Sequence, residues 1–344
     1  MKNKIILFSK KILKALKVFI SRVLADGGII EAKNYVNSVL KTVGDASLVL
    51  IPSAYKSGVL YSILPEDGTG DFTASRNSVA TRINPNGLIE EVGVNIPRID
   101  YTDGTPVLLT EPQSTNLITY SEDFSDVYWG KVDITTTLST ITSPYNNSCY
   151  KIIPTATNAV HSLYNETGVT NLVKYTFSVY AKAGELKFLQ FGLSTGFSNV
   201  YLNIDLSSGT IGNTNSLDYK VEELANGWFR ISITELRLSS GTTYVEIIPV
   251  SSNTSANNEA FLGDGVSGLY IAGVQCEELP YATSYIPTAG ATATRLAETV
   301  TVAPPLGITE IIETIDGVDQ TPITVIPATY TIPFGNINKI IMNS

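Results

Sequence analysis

The spacing of apolar residues changes along the chain, and each change marks a different kind of element. Over residues 3–24, Ile5, Phe8, Ile12, Leu16, Phe19 and Val23 recur at helical spacing, with Lys10, Lys14 and Lys17 on another side. This pattern predicts an amphipathic basic helix that Gly27 and Gly28 interrupt. A second stripe (Ile29, Ala32, Val36, Val39, Leu40 and Val43) extends the predicted helical segment over residues 1–45. From Ser47 the period shortens. "SLVLIPSAYKSGVLYSILP" reads as two strands about the turn Lys56-Ser57-Gly58. The stretch that follows is rich in turn residues, with Asn84-Pro85-Asn86-Gly87 the strongest signal. Residues 46–116 therefore read as an irregular, mostly extended connector.

Alternation with a period of two dominates residues 117–288. "YTFSVYAK" puts Tyr175, Phe177, Val179 and Ala181 on one face and Thr176, Ser178, Tyr180 and Lys182 on the other. "VYLNIDL" likewise turns Val200, Leu202, Ile204 and Leu206 inward and Tyr201, Asn203 and Asp205 outward. "WFRISIT", "TYVEIIPV" and "GLYIAGVQCEEL" continue the series, separated in places by turns such as Ser207-Ser208-Gly209 and Asn226-Gly227. Short alternating strands with polar turns predict an antiparallel β-sandwich of jelly-roll type. After Arg295 two apolar β-type runs flank Asp316-Gly317, a hairpin-turn pair. Pro322, Pro327 and Pro333 assign these strands to sheet edges or to a chain-crossing arrangement. Residues 289–344 are too few to bury a core of their own, so this β unit needs a neighbour or oligomerisation. The fold class is mainly β with an N-terminal helical segment.

Composition adds charge asymmetry and removes several chemistries. Residues 1–24 hold seven basic side chains and no acid, which leaves 16 bases against 32 acids in the rest of the 344-residue chain. A basic head on an acidic body points to two different partners. With a single histidine, His161, neither a His-rich metal site nor a Ser/Cys–His catalytic set is expected, and no cofactor is implied. Cys149 and Cys276 are too few for a disulfide framework. Cys276, grouped by alternation with Tyr270, Ala272 and Val274, reads as a buried thiol. No run is long enough to span a membrane, and Lys10 and Lys11 cut short any secretory signal.

"DFTASRNSVATRINPNGLIEEVGVNIPRIDYTDGTPVLLTEPQSTNLITYSEDFSDVYW" (Asp71–Trp129) resembles a segment of the fibre and spike proteins on tailed-bacteriophage virions. "NGWFRISI" and "GVQCEELPYATSYIPT" resemble the carbohydrate-binding-module-like sandwich downstream in the same proteins, so the likeness covers roughly residues 45–295. The resemblance implies a structural protein on the virion surface, usually a homotrimer, with an N-terminal region docked on capsid, neck or tail proteins. The short chain favours a head fibre, a form of capsid decoration. A receptor-binding tail fibre for host adhesion is the alternative, and a secreted glycan hydrolase a remote one. In this picture Leu269–Leu279 closes the sandwich and residues 280–295 lead to the terminal β unit. Tyr281 and Tyr285 pin the exit and Pro287 stiffens it.

The candidate docking residues are Phe8, Lys10, Ile12, Lys14, Lys17 and Phe19, which combine an apolar stripe with positive charge. Contact with packaged nucleic acid or a membrane surface stays open for this helix, but no nucleic-acid-binding fold accompanies it. Tyr180, Tyr201 and Asn203 are the candidate contacts to host-surface glycans, although covering sheet neighbours is the plainer role for each. Catalysis is not expected, because adjacent Glu277 and Glu278 point to opposite faces, while Asp205 and Glu246, the pair that could converge, are outward carboxylates of the kind a sandwich usually leaves solvated. Asp264 between two glycines reads as a turn rather than a Ca²⁺ ligand, and Trp129 and Trp228 as packing anchors.

Overall fold

In the computed structural model, two six-stranded antiparallel sheets carry the sandwich. The inner order of the first is Ile134–Thr142, Ser148–Pro154, Leu269–Glu277, Lys174–Lys182, Trp228–Leu236 and Tyr219–Leu224. The second runs Thr210–Thr214, Ser198–Asp205, Phe188–Thr195, Gly241–Val250, Ser162–Val169 and Gly130–Val132. The structure describes residues 46–344 except 57–58, 65–69 and 196–197. The predicted N-terminal helical segment, with all six candidate docking residues, lies outside the described residues. Among those described, the only helical segment is the 3₁₀ turn Ala225–Gly227, so the described chain is mainly β.

Phe177, Val179, Leu202 and Ile204 are fully buried in the core between the sheets, as alternation requires. Two faces that alternation assigns to solvent are nonetheless covered. On Lys174–Lys182 every residue from Tyr175 to Ala181 is buried. The cover is the chain after the last sandwich strand, which turns back over that sheet instead of leaving from its edge. Its anchor is Tyr285, 2 % exposed, stacked on Tyr145 at 5.1 Å and edge-on to Tyr180 at 5.6 Å. Tyr281 stays exposed and does not share this anchoring position.

A bulge makes room for the ring. Gly273 has φ +41°, and a Cβ there would stand 2.9 Å from both the Tyr180 and the Tyr285 rings. The pairing of Leu269–Glu277 with Lys174–Lys182 slips at this point, from Ser178↔Gln275 to Tyr180↔Ala272. The extra residue reverses which side chains face inward. Leu269 and Ile271 before it, and Val274 and Cys276 after it, enter the core, while Tyr270 and Ala272 do not join Cys276 there as plain alternation had them. Cys149 and Cys276 are free and buried. Burial and the neighbouring Glu277 carboxylate push the Cys276 thiol well up.

The remaining described residues form a second compact unit from stretches 46–85, 91–113 and 296–344. The segment read as a connector and the C-terminal β unit are thus two parts of one structure. Gly335–Asn343 pairs with Ala46–Lys56 and Val107–Thr110 as well as with Glu310–Ile315, so it is an interior strand and not an edge. The three prolines fall outside the strands, which is why they do not disturb the sheet. Asp316 (φ 51°) and Gly317 (φ 78°) form the expected tight turn between Glu310–Ile315 and Val318–Asp319. Leu48, Leu50, Ile311, Ile340 and Met342 meet in this unit's core, so the small C-terminal part finds its neighbour within the chain.

Candidate functional site

Of the three candidate glycan contacts, two are inside the protein. Tyr180 is 2 % exposed, with the Arg230 guanidinium 5.4 Å from its ring centroid. Asn203 is fully buried, accepting a hydrogen bond from Gln190 Nε2 at 2.8 Å and donating to the Ser255 carbonyl at 2.7 Å. Both are correctly placed on the outer faces of their strands, but the turned-back chain covers one and the loop around Ser255 covers the other. Tyr201 remains half-buried on an open face.

That open face has a simple construction. Two Tyr-x-Glu words, Tyr164-Asn165-Glu166 and Tyr244-Val245-Glu246, lie on neighbouring antiparallel strands. Their register sets Tyr164 opposite Glu246 and Glu166 opposite Tyr244. Alternation turns Val245 into the core and leaves all four named side chains outside. The Tyr164 and Tyr244 rings meet at 5.8 Å and 63°. Tyr164 lies over Gly130, where a Cβ would come within 2.3 Å of the ring. On the other side Glu246 pairs with Gly192, which pairs with Tyr201. Gly192 presents no side chain and is itself buried, with Glu246 Oε2 3.7 Å from where a Cβ would stand, so the Glu246 carboxylate lies against this position. From Tyr164 to Tyr201 the row crosses three strand spacings, about 14 Å.

The electrostatics of the face are one-sided. Burial raises the Glu246 carboxyl above its usual range, against a hydrogen bond from Ser194. Glu166 accepts the Tyr244 hydroxyl, and this bond with the adjacent negative charge pushes the phenol up. Lys131 is the only basic residue on the six strands of this sheet. Its ammonium is held by the carbonyls of Ser125, Asp126 and Trp129 at 3.5, 3.3 and 3.2 Å. Such a surface offers flat ring faces together with carboxylate acceptors for hydroxyl groups.

Sites for other chemistry are occupied by internal bonds. The His161 ring nitrogens face the carbonyls of Asp133 at 2.5 Å and Phe261 at 3.0 Å. Glu277 is fully buried, bonded by Ser114, Gln275 and Thr283, whereas Glu278 accepts the Tyr175 hydroxyl. Asp205 sits at the Phe188 end of its strand, four residues along the ladder from the position facing Glu246. At about 3.3 Å per residue that exceeds the spacing of a glycosidase carboxylate pair. Asp264 bonds the amides of Val266 and Ser267 and the Ser267 hydroxyl, so its oxygens close a turn. No group of potential metal ligands occurs among the described residues. Trp129 and Trp228 are buried, their indole nitrogens bonded to the carbonyls of Tyr120 and Thr142. Among the described residues no helix is long and apolar enough to cross a membrane.

No protein-family model and no curated protein matches the chain. Solved structures with a similar fold include the enzymatically active domain of tailspike protein 4 from bacteriophage CBA120, at 9 % identity and TM-score 0.31 over 47 % of this chain and 21 % of that one. TmCBM61, solved with β-1,4-galactotriose, matches at 8 % identity and TM-score 0.29 over 47 % of this chain and 97 % of its own. TmCBM27, a carbohydrate-binding module described for mannan recognition, matches at 9 % identity and TM-score 0.28, covering 51 % and 99 %. The chain thus spans about a fifth of the tailspike it resembles. At these scores the likeness carries no functional weight, and function rests on the residues themselves.

Proposed function

We propose that this protein is a non-catalytic structural component of a bacteriophage virion surface, a fibre or spike whose sandwich adheres to glycans. The observation that carries the adhesive part is the face on which Tyr164 and Tyr244 stand opposite Glu246 and Glu166, with Tyr201 in the same row across Gly192. Aromatic faces cover the apolar side of a sugar ring while carboxylates accept its hydroxyl groups. Glu166 is exposed and Glu246 half-buried on the sheet surface, and each already holds a hydroxyl of the protein. That arrangement suits binding better than bond cleavage, which gains from excluding water. The virion assignment, with the head fibre as the favoured form, rests on the resemblance of Asp71–Trp129. A receptor-binding tail fibre is the alternative location for the same adhesive face.

Binding of the full chain to a panel of bacterial surface polysaccharides tests the adhesive reading. Tyr164→Ala and Tyr244→Ala should each weaken retention by about tenfold, the loss expected for one aromatic contact. Wild-type affinity in both variants would remove this face from consideration. Bound polysaccharide should release no new reducing ends; release abolished by Glu246→Gln would make the protein a hydrolase. Antibody labelling of purified particles should mark the head surface. Label at the tail tip would favour the tail-fibre alternative, and its absence from virions would overturn the structural role.

A further inference from the structure

The open face is paved with acceptors, and among the described residues of its six strands there is one base, which limits what it can hold. Glu166 and Glu246 are the charged side chains of the Tyr-x-Glu block, on adjacent strands and diagonal to one another, and the outward Asp205 adds a third carboxylate to the same sheet. Along all six strands the only base is Lys131, and three backbone carbonyls take up its ammonium. Both faces of the block are rings: Tyr164 above Gly130 on one side, Tyr201 beyond Gly192 on the other. A sugar laid along this row would therefore touch phenol rings and place its hydroxyl groups against carboxylate oxygens.

We infer, building on the adhesive reading above, that this face selects glycans without acidic groups and rejects those carrying uronate or other carboxylated sugars. The selection is a difference between two ligands on one surface. A neutral sugar donates hydroxyl protons to Glu166 and Glu246 and keeps its ring contacts. A carboxylated sugar meets like charge at the same acceptors and, among the described residues of these strands, finds only Lys131, whose ammonium is already held by carbonyls. Discrimination of this kind needs no additional pocket, because the repelling element is also the binding element.

The test compares native acidic bacterial polysaccharides with the same polymers after reduction of their uronic acids to neutral sugars, so the backbone is held constant. The full chain should bind the reduced forms about tenfold more tightly at low salt, the scale of like-charge repulsion at a partly solvated site. Raising the salt concentration should narrow that ratio by screening. Glu246→Gln and, separately, Glu166→Gln should narrow it as well, each with a circular dichroism spectrum and melting temperature like the parent's. Equal or tighter binding of the native acidic forms would overturn the inference while leaving adhesion intact. A ratio that neither variant changes would overturn the role of these carboxylates. Failure of every polymer, native and reduced, to bind would instead sink the adhesive reading itself.

Discussion

Single residues in this protein show how far a side chain's role depends on what covers it. Glu298 is 5 % exposed and holds two arginines, with Oε1 at 2.7 Å from Arg76 and 2.5 Å from Arg98. Its other oxygen accepts Arg98 Nη2 and the Glu111 amide. Arg98 also pairs with Glu111 at 2.8 Å. Glu298→Ala would leave Arg76 without this carboxylate and Arg98 with one of its two, both in a dry interior. Chemical denaturation should register a loss of about 3–5 kcal/mol, the usual result of breaking a buried pair. A loss within experimental error would mean that water or Glu111 takes over the role. Asp264, by contrast, lies on the surface, and hydrogen bonds from Ser267 and Val266 pull its carboxyl down from 3.8 to about 2. A depressed carboxyl stabilises the folded turn fully above the unfolded value, and the effect fades as the pH falls through about 2. The Val266 and Ser267 amide resonances should therefore titrate near the folded value; a midpoint at the unperturbed one would show that these bonds are weak in solution.

At the scale of elements, the most informative piece is the chain that folds back over the sandwich. Gln275 donates towards the Thr283 carbonyl and accepts the Ile286 amide, while Thr283 donates to Glu277. Asn116 Nδ2 bonds the Ile286 carbonyl, and Ser121 and Thr288 exchange hydrogen bonds. Residues 293–295 finish the return by pairing with Ser114–Asn116. A continuous strand at 269–277 could not have accepted Tyr285, since any Cβ at position 273 would occupy the space of its ring. Tyr285→Ala should cost about 3–5 kcal/mol, as removal of a buried aromatic usually does. It should also raise hydrogen exchange of the amides over 280–290 ahead of those in Lys174–Lys182. Uniform exchange in both segments would show that the two open as one.

For the whole molecule, the open question is how copies assemble. The shortage of sequence in the C-terminal β unit is met within the chain, since Gly335–Asn343 is flanked by strands from residues 46–56 and 107–110. The case for a homotrimer then rests on the N-terminal stripes, Val36, Val39 and Val43 among them, and on the resemblance to virion fibres. Light scattering of the full chain should give three times the monomer mass of 37.1 kDa. Removing residues 1–24 should leave that mass unchanged and abolish incorporation into particles. A monomeric truncation would make the first helix the oligomerisation device. Incorporation without it would place docking elsewhere in the chain.

What the sequence determined by itself is local. Side-chain alternation fixed which way Phe177, Val179, Leu202 and Ile204 point, and Asp316-Gly317 fixed a turn, because the period of two and the left-handed backbone are properties of a few adjacent residues. The two Tyr-x-Glu words carry no local sign of a shared face, and no short pattern singles them out; only the register of two strands set each tyrosine opposite the other's glutamate. Coverage was decided by tertiary structure alone. Tyr180 and Asn203 face outward as their positions require and are still buried, because segments about 100 and about 50 residues further on, respectively, close over them. Arg76 and Glu298 meet across 222 positions for the same reason. Such contacts depend on which loops close, and loop closure costs entropy that no short pattern records.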